Sequence, residues 1–450
     1  MSIRFHSLAI DEILDETSDA YSVFFQKPDL EEFHYKPGQY LTLKVPFQVV
    51  MIDRNNYHTF QPLLYQVASG GLEPDSIAFP LRKMFAKQKN FIFRMAEVHK
   101  VYPENNLIET SLGEIDYDYL VVATGSQTNF FGNKEIEAHA LGMKSIPEAM
   151  DLRSLILQNF EHAHDYTETD IQDTLMGFVV VGGGPTGVET AGALAELKRH
   201  ILPNDYPELD FSLMDIHLIE ASPRLLNGMS DKSGQGAQES LEKMGVHVSL
   251  DTLVTKFDGE TVTVKSGEEI KASTVIWAAG VKGAIVEGIP EEHIVRGNRV
   301  AVDAFSRVKG YNNLFAIGDV AYMETEDYPK GHPGVAQVAM QMGTTLAQNL
   351  PKIEKGAPLK AFQYFDKGSM ATIGRNKAVL DMGKLHLKGL IAWMGWMFIH
   401  ILYLVGFRNK AVVFINWVWS YFTYDKGVRI IINPSQQARS SEKEKDPLLV

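Results

Sequence analysis

The chain has 450 residues, a formal net charge of −13, and 45% hydrophobic against 22% charged residues. At roughly 150 residues per domain, this length and balance suggest about three folded domains. The negative charge argues against a nucleic-acid partner, which requires a basic surface. Cysteine is absent, which excludes disulfides, cysteine-ligated metals and thiol catalysis. The N-terminal residues hold acidic pairs and no apolar run, so no secretory signal is predicted.

Apolar runs alternate with helical patterns along most of the chain. The segment 5–45 predicts short strands at 5–10, 20–25 and 40–45, separated by turns. The run 47–52 predicts a buried parallel strand that ends at Asp53. Further strands are predicted at 120–122, 178–181, 216–219, 275–277 and 314–317, helices at 146–164, 188–201 and 334–349, and a meander over 246–276. This alternation predicts an α/β fold with doubly wound parallel sheets.

A glycine-rich turn joins a predicted strand to a predicted helix. Its glycines are Gly182, Gly184 and Gly187. In a dinucleotide site, the first glycine allows the turn, the second admits the pyrophosphate, and the third lets the helix pack closely. The helix N-terminus then faces the phosphates. This context predicts a dinucleotide site, and a glycine-rich turn without a ligand is the alternative.

An acidic residue, Glu220, ends the next predicted strand. A carboxylate at this position accepts hydrogen bonds from the ribose hydroxyls of a dinucleotide. It would repel the additional phosphate of NADPH. Glu220 therefore predicts a preference for NADH.

Several strand ends predict a second nucleotide site. Asp53 has the position of a ribose acid, but the residues before it, 27–39, hold one glycine and no strand–turn–helix pattern, so a strand-end cap is the alternative. Gly318 and Asp319 suit an acid that binds a flavin's ribityl chain, or they form a plain turn. Thr124 and Gly125 also follow an apolar strand.

Two amides share one predicted helix face. Gln337 and Gln341 lie four residues apart, which suits a ligand with carbonyl groups, and a solvated helix face is the alternative. His162 and His164 lack further ligands in the pattern, so no metal site is predicted.

The C-terminal region differs from the rest of the chain. Residues 389–407 carry no formally charged side chain, and four of the five tryptophans lie within 393–419. The run 411–424 is too short to cross a bilayer. Six Lys and Arg residues against one Asp between 384 and 430 favour an amphipathic pair lying in the bilayer interface. A membrane span and a buried core or dimer helix are the alternatives.

From about residue 47 to 432 the chain resembles the type II NADH dehydrogenases, the non-electrogenic NADH:quinone oxidoreductases. The segments that carry the resemblance are NNYHTFQPLLYQVASGGLEP (55–74), VVVGGGPTGVETAGALAEL (179–197), LFAIGDVA (314–321), AQVAMQ (336–341), KGSMATIGRNKAV (367–379) and the aromatic C-terminal pair. The resemblance implies two Rossmann-type domains, one for FAD and one for NADH, with C-terminal amphipathic membrane-binding helices.

The resemblance also assigns roles to residues. Glu189 matches the family's acid near the nicotinamide and quinone, and Gln337 and Gln341 match a motif beside the quinone ring. The implied FAD residues are Asp53, Thr124, Gly125, Gly318 and Asp319, and the implied NADH residues are Gly182, Gly184, Gly187 and Glu220. The implied partners are a membrane quinone, the bilayer surface at the cytoplasmic face of the inner (plasma) membrane, and a second copy in a homodimer. Absence of cysteine fits direct transfer from flavin to quinone and speaks against the sulfide:quinone reductases.

The N-terminus departs from the family pattern. Family members begin with a strand–GxGxxG–helix unit for the FAD pyrophosphate, whereas 33–45 resembles the first strands of a ferredoxin–NADP reductase-like flavin barrel, without that family's Arg-x-Tyr-Ser clamp. The FAD domain is therefore expected to be discontinuous and to lack its first βα unit. Two functions follow: an FAD-dependent NADH:quinone oxidoreductase, or a flavin-deficient, catalytically impaired NADH-binding protein of the membrane surface.

These observations predict six segments. They are an appended β-rich segment (1–45), the first part of the FAD domain (46–150), the NADH domain (175–290), the second part of the FAD domain with the quinone-site helix (291–385), membrane-anchoring helices (386–432) and a disordered polar tail (433–450).

Overall fold

A computed structural model of the chain describes residues 10–17, 20–25 and 47–431. The chain divides into two compact units, Met1–Val49 and Val50–Val450. In the first unit, strands Ile10–Thr17 and Ala20–Phe25 pair antiparallel. The predicted strand at 20–25 is confirmed. The strand at 10–17 was not predicted, because its acidic residues interrupt the apolar alternation. The remaining predictions over 5–45, and the tail 433–450, lie outside the described residues.

From residue 49 onward the described chain alternates short strands and helices. The helices are Leu64–Ala68, Pro74–Ile77, Leu81–Met84, Lys134–His139, Ile146–Asp165, Thr169–Met176, Pro185–His200, Leu202–Asp205, Asp231–Lys243, Ala336–Glu354, Leu390–Tyr403 and Phe407–Thr423. The strands are Val49–Asp53, Tyr57–Thr59, Ala78–Pro80, Phe91–Met95, Val98–Tyr102, Leu107–Thr110, Gly113–Asp116, Leu120–Val122, Ser126–Thr128, Phe178–Val181, Ile216–Ile219, His247–Ser249, Val254–Phe257, Thr261–Val264, Glu269–Lys271, Thr274–Trp277, Val281–Gly283, Ile294–Val295, Arg299–Ala301, Leu314–Ala316, Ala321–Tyr322, Ser369–Gly374, Lys377–Met382 and Leu385–Lys388.

Four parallel strands form the sheet that carries the glycine-rich turn. Their order is His247–Ser249, Ile216–Ile219, Phe178–Val181 and Thr274–Trp277. Each residue of Phe178–Val181 is buried, as expected for a strand with neighbours on both sides and covered faces. This sheet confirms the predicted Rossmann-type domain. The meander prediction over 246–276 is wrong at its start, because His247–Ser249 belongs to the parallel sheet.

Two of the strand pairs in the predicted FAD domain test the sequence predictions directly. Leu120–Val122 pairs in parallel with Leu314–Ala316, as predicted from their apolar runs. Val49–Asp53 pairs with Phe91–Met95. The prediction of a fully buried strand at 47–52 is wrong, because Val49 and Val50 are 48% and 43% exposed. A strand is buried only when helices or other strands cover both of its faces. An apolar run in the sequence does not show whether such neighbours are present.

The helix Pro185–His200, called here the glycine-turn helix, packs on the strand Ser369–Gly374. A Cβ added to Gly192 would lie 1.9 Å from the Ile373 carbonyl oxygen, so this contact requires glycine. The helix begins three residues before the predicted start, because Pro185 has the fixed φ that suits a first helical position. The contact fixes the helix against the hairpin that precedes the C-terminal helices.

The two C-terminal helices lie side by side. The first, Leu390–Tyr403, is shorter than the apolar run 389–407, and the second is Phe407–Thr423. The rings of Trp393 and Tyr421 are 5.5 Å apart, which places the start of one helix beside the end of the other. Among the helices in the described part of the chain, none combines the length and apolar character that crossing a bilayer requires.

Candidate active site

The glycine-rich turn has the geometry that a pyrophosphate requires. Gly182 has φ +114°, and a Cβ added to it would lie 2.5 Å from the Ala278 carbonyl oxygen. A Cβ added to Gly187 would lie 1.8 Å from the Gly182 carbonyl oxygen, so the helix start packs directly on the turn. Gly184, the residue before the helix, has nothing within 4 Å of an added Cβ. The space over Gly184 faces a helix N-terminus, which fits a diphosphate.

Glu220 lies beside this turn, as predicted. One carboxylate oxygen accepts the N–H of Gly183 at 2.5 Å, and the other accepts the N–H of Ser222 at 2.8 Å. The carboxylate therefore stands at the end of the neighbouring strand, where a ribose would follow the pyrophosphate. The structure brings together all four residues predicted for the NADH site.

Asp319 belongs to a polar cluster in the predicted FAD region. The Ser126 hydroxyl donates to its carboxylate at 2.7 Å, and the Lys144 ammonium lies 3.8 Å from the same oxygen. Gly318, with φ +73°, lets the chain turn tightly between the strand and this aspartate. A carboxylate beside a hydroxyl and an ammonium fits the sugar-like ribityl chain of a flavin. Ser126 and Lys144 have no sequence motif that could have identified them.

Thr124 and Gly125 lie next to this cluster, and Asp53 has separate contacts. The Thr124 hydroxyl donates to the Ala284 carbonyl at 2.5 Å. A Cβ added to Gly125 would meet nothing within 4 Å, so open space lies beside it. The Asp53 carboxylate accepts the N–H of Asn55 at 2.7 Å, a contact that also suits a strand-end cap. The position of Asp53 is compatible with both interpretations of the sequence.

The amides of Gln337 and Gln341 bind the backbone of the loop 365–368. Gln337 donates to the Gly368 carbonyl at 2.8 Å and accepts the Lys367 N–H at 3.0 Å. Gln341 makes the same pair of bonds with Phe365, each at 2.9 Å. The predicted shared face is confirmed, but both amides are engaged by protein. Each amide thus holds the loop in place with one of its two N–H donors and with its oxygen.

Glu189 is a buried carboxyl group on the glycine-turn helix. Its exposed fraction is 8%. It accepts the Thr372 N–H at 3.2 Å and the Trp396 indole N–H at 3.3 Å. Burial raises the pKa of Glu189 to about 8, although both hydrogen bonds oppose this shift by favouring the charged form. At neutral pH this side chain therefore holds a proton.

An aromatic cavity of about 110 Å³ adjoins Glu189. Its walls include Tyr65, Trp393, Trp396 and Trp417. The Trp417 indole donates to Gln66 at 2.7 Å, and Gln66 donates to the Tyr65 hydroxyl at 2.7 Å, so this wall is a connected network. Sequence reasoning missed Tyr65 and Gln66 as site residues. The tryptophan density of 393–419 was the available signal for the other wall, and it was interpreted as a membrane pattern.

One strand connects the glutamine loop with the buried acid. Gly368, bound by Gln337, directly precedes the strand Ser369–Gly374. Thr372, bound by Glu189, lies within the same strand. At about 3.3 Å per residue the two contacts are roughly 13 Å apart along this strand. Gln337 and Gln341 do not line the cavity of Glu189.

Comparison with known protein families identifies the class. Residues 39–343 match the family model described as pyridine nucleotide-disulphide oxidoreductase, and residues 367–423 match the NDH2 C-terminal domain. The first match covers more than half of the chain. Because the chain has no cysteine, the disulphide in that family's name has no counterpart here.

Relatives narrow the class further. A Mycobacterium tuberculosis protein named type II NADH:quinone oxidoreductase NdhA is 38% identical over 87% of this chain and 86% of its own length. A second protein of that organism, type II NADH:quinone oxidoreductase Ndh, is 36% identical over 87% of each chain. The chain belongs to the type II NADH:quinone oxidoreductase family.

Solved structures agree on the fold. A Plasmodium falciparum NDH2 structure in complex with NADH has a TM-score of 0.77 at 21% identity, and the match covers 86% of this chain and 95% of that chain. The sulfide:quinone oxidoreductase of Aquifex aeolicus has a TM-score of 0.61 at 19% identity, covering 86% of this chain and 90% of that one. The predicted α/β fold class is confirmed.

Proposed function

We propose that this chain is an FAD-dependent NADH:quinone oxidoreductase that reduces its quinone in the aromatic cavity beside Glu189. The observation that carries the proposal is a buried carboxyl group at the wall of an aromatic cavity, on the same helix that begins at the dinucleotide turn. Burial raises the pKa of this group to about 8. A quinone ring is flat and apolar with two carbonyl oxygens, so it suits aromatic walls and a proton donor.

The NADH side rests on the glycine-rich turn. Gly184 leaves room for the pyrophosphate, the helix start faces it, and Glu220 is placed for the ribose hydroxyls. The fixed geometry of turn and carboxylate orients the cofactor and disfavours a phosphate on that ribose. Family membership and the names of the relatives support NADH as the reductant.

The residues present also fit a flavin. Asp319, with Ser126 and Lys144, provides a polar cluster for the ribityl chain, and the open space beside Gly125 lies next to it. FAD supplies the redox chemistry, because it accepts a hydride equivalent and passes two electrons on. The protein residues position and surround it. The described residues around Asp53 hold no glycine-rich turn for the pyrophosphate of FAD.

Glu189 would supply a proton to the reduced quinone. The carboxyl group is neutral below about pH 8, so it can donate to a quinone oxygen as charge develops there. The Thr372 and Trp396 N–H groups then stabilise the carboxylate that remains. Reduction of a quinone to a quinol consumes two protons, of which Glu189 would supply one and solvent the other, and solvent would then return a proton to Glu189.

The C-terminal helices would lie on a membrane surface, where the quinone dissolves. Their large exposed apolar side chains include Ile391, Met394, Phe398, Phe407, Ile415, Trp419 and Phe422, each more than half exposed. A cluster of this kind is typical of an interfacial helix pair. The family resemblance adds two proposals, a location at the cytoplasmic face of the plasma membrane and a homodimer. Light scattering after gel filtration tests the homodimer.

The direct test is NADH-dependent reduction of a quinone by the purified full chain in lipid vesicles. Turnover that is lost in Glu189→Gln, with NADH binding retained, would support the proposal. Equal turnover in that variant would contradict the role of the cavity.

The alternative, a flavin-deficient NADH-binding protein, is favoured by the missing first glycine-rich unit. Visible absorption at roughly 450 nm measures bound flavin. Sub-stoichiometric flavin after gel filtration, restored by exchanging residues 1–45 for a strand–GxGxxG–helix segment, would support it. One tightly held FAD per unmodified chain would exclude it.

A further inference from the structure

A second cavity, called here the basic cavity, lies between the NADH domain and the C-terminal helices. Its volume is about 190 Å³, whereas roughly 10–15 Å³ of such space holds one water molecule. Arg199 and His200 contribute the end of the glycine-turn helix, Arg375 and Lys377 flank the hairpin turn, and Tyr424 follows the second C-terminal helix. A polyatomic group fits this space.

The wall of the basic cavity carries excess positive charge. It holds three permanent cations, those of Arg199, Arg375 and Lys377, and one acid, Glu196. The Glu196 carboxylate is engaged already, because it accepts the backbone N–H of Arg375 at 2.6 Å. Among the described residues, the Lys377 ammonium has no ion pair. Arg375 and Lys377 are half-buried, whereas Arg199 is exposed at the rim of the cavity. Half-buried cations favour an anion that shares the cavity.

One polar atom in this wall lacks a donor. The side-chain oxygen of Asn376 is buried without a hydrogen-bond partner among the described residues. Asn376 sits in the turn between Arg375 and Lys377, with φ +61°. A buried acceptor without a donor is costly, and because solvent does not reach this oxygen, a ligand in the cavity does not reach it either. The cavity therefore offers cations for an oxyanion, and Asn376 shapes its wall without bonding to the ligand.

The basic cavity opens beside the apolar surface of the C-terminal helices. The Arg375 guanidinium donates to the Ser420 carbonyl at 2.6 Å and to the Tyr421 carbonyl at 2.8 Å, which ties the hairpin turn to the end of the second helix. It also lies 3.4 Å from the Tyr424 ring centre. Phe422, which is 77% exposed, belongs to the same helix end. A ligand with a charged head in the cavity could therefore lay an apolar chain along the helices.

We propose that the basic cavity binds the phosphate of an anionic phospholipid. The phosphate would meet Arg199 and Lys377. This inference rests on the proposed docking of the C-terminal helices on a membrane. It adds that the docking selects lipids by headgroup.

The test uses the full chain and flotation with vesicles of phosphatidylcholine, alone or mixed with phosphatidylglycerol. The apolar helices should give binding to both, with tighter binding to the mixed vesicles. Lys377→Gln and Arg199→Gln should each weaken binding to mixed vesicles about five-fold. Binding to phosphatidylcholine alone should not change.

Lys384→Gln is the matched control, because it removes the same charge from the neighbouring hairpin turn outside the cavity. It should change binding to mixed vesicles less than two-fold. An equal loss of binding to mixed vesicles in Lys384→Gln would overturn the proposed site, because it would show that the general positive charge of this surface attracts the lipid. Equal binding of the unmodified chain to both vesicles would overturn the lipid preference, whereas failure to bind either would overturn membrane docking itself.

Inorganic phosphate distinguishes the two sources of a phosphate group. Added without vesicles at millimolar concentration, it should leave the thermal unfolding midpoint unchanged. A rise of that midpoint in the unmodified chain but not in Lys377→Gln, without a vesicle preference, would show that the site takes soluble phosphate and would overturn the lipid assignment.

Discussion

The indole N–H of Trp396 donates to the Glu189 carboxyl group at 3.3 Å across 207 residues of sequence. Trp396 belongs to the first C-terminal helix, and Glu189 belongs to the helix that starts at the dinucleotide turn. Other residues of the first helix expose the apolar side chains proposed to meet the membrane. One short helix therefore serves both the proposed membrane contact and the proposed proton donor.

The first prediction concerns the pH dependence of quinone reduction. Activity should fall above about pH 8, where Glu189 loses its proton. Glu189→Gln should lower turnover roughly 100-fold, the usual scale for a general acid, while flavin reduction by NADH continues. Steady-state turnover and stopped-flow flavin reduction measure the two steps. Trp396→Phe removes a hydrogen bond that favours the carboxylate, so it should shift the pH limit upward; an unchanged limit would contradict this assignment.

The second prediction concerns stability. In the folded chain the pKa of Glu189 is about 8, whereas in the unfolded chain it has the ordinary value of 4.5. The folded chain therefore binds more protons than the unfolded chain between these values, and stability declines as pH rises through this window. Glu189→Gln should be more stable than the unmodified chain at pH 9 by about 3–5 kcal/mol and similar to it near pH 4. Denaturant midpoints at both pH values provide the measurement.

The third prediction concerns cofactor choice. Glu220→Ala should narrow the affinity gap between NADH and NADPH by roughly tenfold, about 1.4 kcal/mol, because the repelling carboxylate is gone. Glu239→Ala removes an equal charge from the helix Asp231–Lys243 of the same domain, and it should leave the difference between NADH and NADPH affinity unchanged. Titration of each cofactor measures the dissociation constants. Equal affinities in the unmodified chain would refute the role of Glu220.

The fourth prediction concerns membrane docking. Phe407 and Phe422 are 87% and 77% exposed. Replacing either by Ser should weaken binding to phosphatidylcholine vesicles roughly tenfold or more, since burying such a ring is worth about 1.5–3 kcal/mol. Leu112→Ser, at a 65% exposed residue in a hairpin turn away from these helices, should have no effect. High salt alone should not release the chain, because salt screens only charges.

These substitutions are cleaner than removing the C-terminal region. Truncation before Leu387 should also make the chain soluble. It would, however, delete Trp396 and so change the surroundings of Glu189. Release of the full-length chain by salt alone would count against the apolar contact.

The fifth prediction concerns the glutamine pair. Gln337→Met or Gln341→Met should free the loop 365–368 and raise the quinone KM while leaving flavin reduction by NADH intact. Gln348→Met, on the exposed side of the same helix, is the control. If stopped-flow flavin reduction fell equally in the pair variants, the amides would belong to the hydride step or to folding.

The dinucleotide turn was predictable because its signals are local. Gly182, Gly184 and Gly187 lie within six residues, and the strand before them and Glu220 after them give the context. The amide pair was predictable as a helix face, but not as a clamp, because its partners lie 24–31 residues away in an irregular loop.

The surroundings of Glu189 could not be predicted from sequence. Its hydrogen-bond donors, Thr372 and Trp396, lie 183 and 207 residues away, and nothing local to Glu189 indicates that it is buried. The exposure of Val49 and Val50 has the same origin, since an apolar run does not report how many elements cover it.

The backbone contact at Gly192 has a mechanical consequence. Because Gly192 admits no side chain against Ile373, the glycine-turn helix cannot slide along the hairpin strand without a collision. The glycine-turn helix and the strand Ser369–Gly374 are therefore expected to move as one body. A Gly192→Ala change should lower both the melting temperature and the turnover, because the added methyl group would push the helix away from the strand.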